Sequence, residues 1–139
     1  MTPMLSGQQN PYKGNPARGW IRVQLHAVDG TIYAVELIAD TGCPYFTVLG
    51  NGDFNRCKLT EVAPEDTVYG KLEGAWLRLS IPEVGLDRQL IGYASDLVAQ
   101  LAQDSCPDFV GLIGLPLLRM MQYGGDADWF WIRPAAATP

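Results

Sequence analysis

Residues 35–50 read VELIADTGCPYFTVLG, and in this stretch an aspartate, Asp40, stands between two apolar runs, followed by Thr41 and Gly42. Carboxylates seldom occupy such surroundings unless they are paired or hydrogen-bonded. A carboxyl held there has two chemical uses. Ionised, it takes a proton from water; un-ionised, it gives one to an oxygen. Two carboxyls sharing one site hold both states at once, because repulsion splits their apparent pKa values. The chain offers one such acid. Asp29, Asp53, Asp87, Asp104 and Asp126 fall in polar, turn-like contexts, and no second Asp-Thr-Gly or Asp-Ser-Gly occurs.

Other chemistries lack their parts. Cys43, Cys57 and Cys106 form no CxxC pair, and His26 is the single histidine. That is a poor zinc set, and it speaks against Ser-His-Asp and Cys-His catalysis. No metal and no cofactor is expected. A phosphate-handling enzyme would need a Walker-type Gly-x-x-x-x-Gly-Lys loop or paired aspartates for Mg²⁺, and neither is present. The net charge of −5, with no basic block, argues against nucleic acid and anionic membranes as partners. No apolar run approaches the roughly 20 residues of a membrane helix. The start lacks a long hydrophobic region after a basic beginning, so a cytoplasmic location is expected. The 139 residues suffice for one domain, and 47% hydrophobic with 18% charged residues is a globular composition.

The elements that must position Asp40 are mostly strands. Residues 1–18, rich in Gly, Pro, Gln and Asn, read as a flexible N-terminal arm. In IRVQLHA, Ile21, Val23, Leu25 and Ala27 alternate with Arg22, Gln24 and His26, giving a half-buried strand with His26 exposed. Asp29-Gly30 marks a tight turn. The strand TIYAVELIA then runs into Asp40, so the acid ends the second arm of a hairpin. YFTVLG reads as a third strand and NGDFNRCKLTEVAPED as irregular. VYGKLEG has the glycines of a mobile hairpin tip. AWLRLSI places Leu77, Leu79 and Ile81 on one face, and RQLIGYA returns beside it. SDLVAQLAQ predicts a helix capped by Ser95. FVGLIG is a short buried strand, LPLLRMM a short helix with Pro116 near its start, and QYGGDADWFWI a closing hairpin. Seven or eight short strands and two short helices predict a small barrel or sandwich. Residues 19–133 form the domain, and 134–139 a frayed tail.

A lone Asp-Thr-Gly occurs by chance on the order of a few per cent of the time in a chain this long. Its place at the end of an apolar strand, joined to the later Leu112-Ile113-Gly114 opening a short helix, is far more specific. Over roughly residues 20–132 the chain resembles the retropepsin-like aspartic proteases. The resemblance follows the order of hairpin, DTG loop, TVL strand, glycine-bearing flap, apolar-apolar-Gly strand, short helix and terminal strand. It implies a small closed barrel of the retropepsin-like acid protease type. It makes Asp40 the acid, Thr41 a brace against its symmetry mate and Gly42 a point of close backbone approach. Gly114 lets its strand pass beside the loop, with Leu112 and Ile113 as support. Val68, Tyr69 and Gly70 become flap residues on the substrate side, with Tyr69 either contacting substrate or anchoring the base of the hairpin.

The same resemblance implies a homodimeric aspartic endopeptidase, a hydrolase acting on a peptide or protein with water activated between two Asp40 carboxyls. With one such acid per chain, a C2 dimer is the simplest way to set a residue opposite itself. The alternative is a catalytically inactive relative that binds peptides or dimerises. The Trp129-Phe130-Trp131 strand is either part of the interface or core. The chain departs from the family just after the motif. Cys43 replaces the usual small residue, as a packed thiol or an oxidisable one, and the path to TVL is about one residue longer. The segment between Asp96 and Asp108 is also longer than in compact viral members, which predicts an added helix outside the site.

Overall fold

The computed structural model describes residues 6–68 and 70–136. In chain order these form strands β1 (Gln8–Pro11), β2 (Trp20–His26), β3 (Ile32–Asp40), β4 (Thr47–Leu49), β5 (Glu61–Thr67), β6 (Gly70–Ile81), β7 (Leu86–Ala94), β8 (Phe109–Gly114), β9 (Gln122–Gly125) and β10 (Trp129–Arg133). The helices are α1 (Asn51–Cys57), α2 (Asp96–Ser105) and α3 (Leu115–Leu118).

Hydrogen bonding runs in the order β2-β3-β8-β4-β7-β6, and β6 pairs again with β2 through Gln24↔Ser80 and Leu25↔Leu79. That second pairing closes a ring of six strands, so the fold is a mostly β small barrel. Period-2 patterning fills it: Ile21, Val23 and Leu25 of β2 and Leu77, Leu79 and Ile81 of β6 are fully buried. Each such side chain contributes about 1.5–3 kcal/mol relative to exposure.

The strands around Asp40 are apolar in a different way. In β3, Leu37 points into the barrel core while its neighbour Ile38 packs with Trp20, Ala102 and Phe109 on the outside. In β8, Ile113 joins the core and Leu112 packs against the outer clusters. Near Asp40 and Gly114 both strands are covered on both faces, by the core inside and by α2 outside. A strand buried on two faces needs an unbroken apolar run. This is why Leu37-Ile38-Ala39 lead into Asp40 without alternation, after Glu36, which is ion-paired to Lys13.

Four expectations are corrected. Residues 8–18 are not a free arm. β1 pairs with β10, and Lys13 and Arg18 bridge each other. The buried amides of Gln8 and Asn10 take the place of a strand beside β2. Gln8 Nε2 donates to the Arg22 carbonyl (2.8 Å), Arg22 N donates to Gln8 Oε1 (2.9 Å), and Asn10 Nδ2 donates to the Trp20 carbonyl (3.1 Å). Secondly, NGDFNRC is a helix. Asp96 of α2 accepts from Asn51 N (2.8 Å) and Asn51 Nδ2 (3.0 Å), capping α1 from outside its own sequence, while Phe54 and Cys57 anchor it in the core. Thirdly, EVAPEDT is a strand, β5, paired to β6. Finally, His26 is half-buried, with Nε2 2.9 Å from Ser80 Oγ. These additions raise the count among the described residues to ten strands and three α-helices.

β10 is the middle of a three-stranded sheet, β1-β10-β9. Ile132 is its core residue, and Trp129 is exposed. Both main-chain edges of β10 are occupied within the chain, so any contact this strand makes with a second copy is through its face. Pro134, where a frayed tail was expected to begin, accepts a bond from Gln122 Nε2 (3.0 Å).

Candidate active site

Asp40 is the last residue of β3 and lies opposite Gly114 of β8, to which β3 runs parallel. β4, which follows the Asp40 loop, runs antiparallel to that same strand. The loop from 41 to 46 therefore has to leave β3, cross the end of β8 and come back along its other edge. Main-chain bonds hold this crossing. Cys43 N donates to Asp40 O (3.1 Å), Gly114 N to Phe46 O (3.1 Å) and Leu115 N to Cys43 O (3.0 Å). Thr47, fully buried, donates its hydroxyl to Leu112 O (2.7 Å).

The crossing leaves no room for a side chain at Gly114. A Cβ there would land on the Tyr45 carbonyl oxygen and lie 2.7 Å from that of Cys43. Both obstacles are backbone and cannot swing aside, so glycine is required by space. Gly42 serves the acid more directly. Its N–H donates to Asp40 Oδ1 (2.9 Å), and a Cβ would come within 3.2 Å of that oxygen. Oδ1 is thereby fixed, while Oδ2 has no partner among the described residues. Asp40 is half-buried; Thr41 beside it is exposed, its hydroxyl also unpartnered among the described residues.

Cys43 is a packed thiol. It is buried, unpaired and clustered with Val48, Leu72, Tyr93 and Val98. Burial pushes its pKa up and the Asp40 carboxylate adds to the rise, so the reactive thiolate is disfavoured. The Tyr45 ring packs against that of Tyr93, tilted by 53° with centroids 4.7 Å apart, which steadies the part of the loop where the sequence departs from its expected pattern.

The structure thus brings Asp40, Thr41 and Gly42 together with Leu112, Ile113 and Gly114. Val68 and Gly70 lie at the β5–β6 hairpin end and do not line the cavity beside Asp40. Tyr69 lies outside the described residues. That cavity, of about 260 Å³, is bounded by Asp40, Ile38, Ala39 and Leu112 from the strands, by Val98, Leu101 and Ala102 from α2, and by Arg18. The added helix is therefore not outside the site: it walls it. Nothing in the spacing of SDLVAQLAQ signals this, because a helix pattern shows which face is apolar but not what the face meets.

A larger cavity, of about 540 Å³, lies between α1 and α2 without Asp40. Its acids are already engaged, Asp53 by the Tyr33 hydroxyl (2.8 Å) and Asp96 by Asn51. Among the described residues, no group of three or more His, Cys, Asp or Glu could hold a metal ion. No helix among them is long and apolar enough to cross a membrane.

No protein-family model matches the chain, and no curated protein matches it. Among solved structures, the chain is similar to a retropepsin-like aspartic protease from Rickettsia conorii, with 17% identity over 89% of this chain and 98% of that one and a TM-score of 0.48. It is also similar to the EIAV protease complexed with an inhibitor, with 15% identity over 73% of this chain and 86% of that one and a TM-score of 0.47.

Proposed function

We propose that the protein is a homodimeric aspartic endopeptidase, with one Asp40 from each copy forming a shared acid pair. The observation that carries this reading is Asp40 itself: a half-buried carboxylate lining a cavity of about 260 Å³, one oxygen fixed by Gly42 N–H and the other unpartnered among the described residues.

In this mechanism the ionised Asp40 takes a proton from water as the water oxygen bonds to the peptide carbonyl carbon. The un-ionised Asp40 of the other copy gives its proton to the carbonyl oxygen. The tetrahedral intermediate then collapses: the C–N bond breaks, the nitrogen leaves with a proton, and the pair returns to one shared proton. The two carboxyls titrate as a unit, so activity is best at mildly acid pH. Thr41, exposed beside the acid, braces one loop against its mate. Val68 and Gly70, at the β5–β6 hairpin end, cover a substrate that lies extended, by strand-like main-chain bonds. Three unpaired cysteines favour a reducing compartment, the cytoplasm.

Asp40→Asn keeps shape and hydrogen bonding but cannot cycle a proton. It is expected to abolish peptide cleavage while leaving folding and dimerisation intact; full activity in that variant would end the reading.

A further inference from the structure

We propose that Arg18 receives a carboxylate of the substrate, so that the cleft takes an acidic side chain next to the scissile bond. This rests on the endopeptidase reading and adds the substrate class to it. The register of β2 and β3 places the cation. Trp20 faces Ile38, and Ala39 N donates to Gly19 O (2.9 Å), so one step further along Arg18 stands beside Asp40. Both line the same cavity of about 260 Å³, and among the described residues no other charged group lines it. Ile38 and Leu112 of the strands and Val98 and Ala102 of α2 make up most of the remaining wall. The cavity therefore offers hydrocarbon for methylene groups and one cation for their end.

The main chain that carries Arg18 is fixed by a clasp over residues 13–18. Arg18 N donates to Lys13 O (2.8 Å), and Lys13 N to Arg18 O (3.3 Å). Asn15 N donates to Ser105 O (2.8 Å) and Ser105 Oγ to Pro16 O (2.7 Å), which ties the segment to the end of α2. Lys13 bonds Glu36 (2.8 Å) and Asp108 (3.2 Å) and is neutralised by them. The Arg18 side chain, by contrast, is exposed and makes no hydrogen bond or ion pair among the described residues. A guanidinium is a planar fork of N–H donors that matches the two oxygens of a carboxylate. Held on an ordered backbone, it loses less entropy on binding. The sign of the preference follows from the two charges in the cavity. An acidic side chain alone would be repelled by Asp40, and Arg18 offsets that repulsion. A basic side chain would be repelled by Arg18. By pairing with Asp40 it would also hold ionised a carboxyl that must carry a proton.

The test uses two blocked octapeptides of alanine, one with a central Glu and one with a central Gln, which differ in charge but hardly in shape. It is run at about pH 6, where a glutamate is ionised. Cleavage is measured on the Asp40 enzyme, and binding by amide NMR shifts on the Asp40→Asn protein. Each is repeated with Arg18→Gln and with the conservative Arg18→Lys. The ratio between the two peptides on one protein is insensitive to the fraction of dimer. The Glu peptide is expected to be preferred by about tenfold, the preference vanishing in Arg18→Gln and surviving in part in Arg18→Lys. Cleavage without a preference for Glu, or with one that Arg18→Gln does not alter, overturns the carboxylate site and leaves the endopeptidase standing. Arg18-dependent binding of the Glu peptide without any cleavage supports the site and overturns the endopeptidase. Neither binding nor cleavage of either peptide overturns both.

Discussion

The Asp40 loop and the β5–β6 hairpin end both depend on a glycine, for opposite reasons. Gly114 has ordinary backbone angles but no space, because the carbonyls of Tyr45 and Cys43 occupy the volume a Cβ would need. Gly70 has open space around it but sits at φ +95°, a conformation that L side chains avoid. One region is fixed by its surroundings, the other by its own torsions. The loop with the acid is rigid because neighbours hold it. The hairpin end is shaped locally and meets few neighbours, with Val68 94% exposed. In the proposed peptidase the first kind of region would hold the carboxyl and the second would admit the peptide.

Substitutions sharpen this contrast, in descending order of effect. Gly114→Ala forces backbone apart at the crossing and is expected to destabilise by about 3 kcal/mol or more, measured by urea unfolding. Thr47→Val keeps the shape but leaves the buried Leu112 carbonyl short of a donor, at a cost of about 1–3 kcal/mol. Gly70→Ala strains one residue and nothing else, so its loss is about 1–2 kcal/mol, with no change in the amide spectra of the barrel. Val68→Ser lies within about 0.5 kcal/mol of the parent protein. If Gly70→Ala proved more damaging than Gly114→Ala, the contrast between crowding and torsion would be wrong.

The smallest effect concerns the 13–18 clasp. Burial lowers the Lys13 pKa, but the bonds to Glu36 and Asp108 outweigh it and raise the folded value above 10.5. The clasp's contribution to stability is therefore complete below pH 10.5 and fades as pH rises through the folded value. Thermal unfolding at pH 8 and pH 11 should differ by a small increment that Lys13→Met removes; an unchanged increment in that variant would exclude Lys13 as its source.

Much of this was legible in the sequence wherever the cause is local. The alternation of Leu77, Leu79 and Ile81, the Asp29-Gly30 turn and the Ser95 cap each act within a few residues. The pairing of Asp40 with Gly114 across the chain came from two short motifs and a resemblance, not from periodicity. What could not be read has distant causes. Gln8 and Asn10 look like arm residues, and only the free edge of β2 makes their amides structural. Asn51–Cys57 has weak helix formers, and its N-terminal cap, Asp96, lies 45 residues away. β5 carries Pro64 and no alternation, so it is a strand only because β6 templates it. α2 announced itself as a helix but not as a wall, since its neighbours across the cavity come from β3 and β8.

The central claim is that one acid per chain is completed by the same acid of a second copy. It is tested most directly by adding Asp40→Asn protein to a fixed amount of the active protein under dimer-exchanging conditions and following peptide cleavage. A shared pair predicts that mixed dimers are dead, so an equal amount of the variant lowers activity to about half, and further additions lower it towards zero. Cleavage that stays constant as the variant is added would mean that each chain acts alone, and would contradict the shared acid pair.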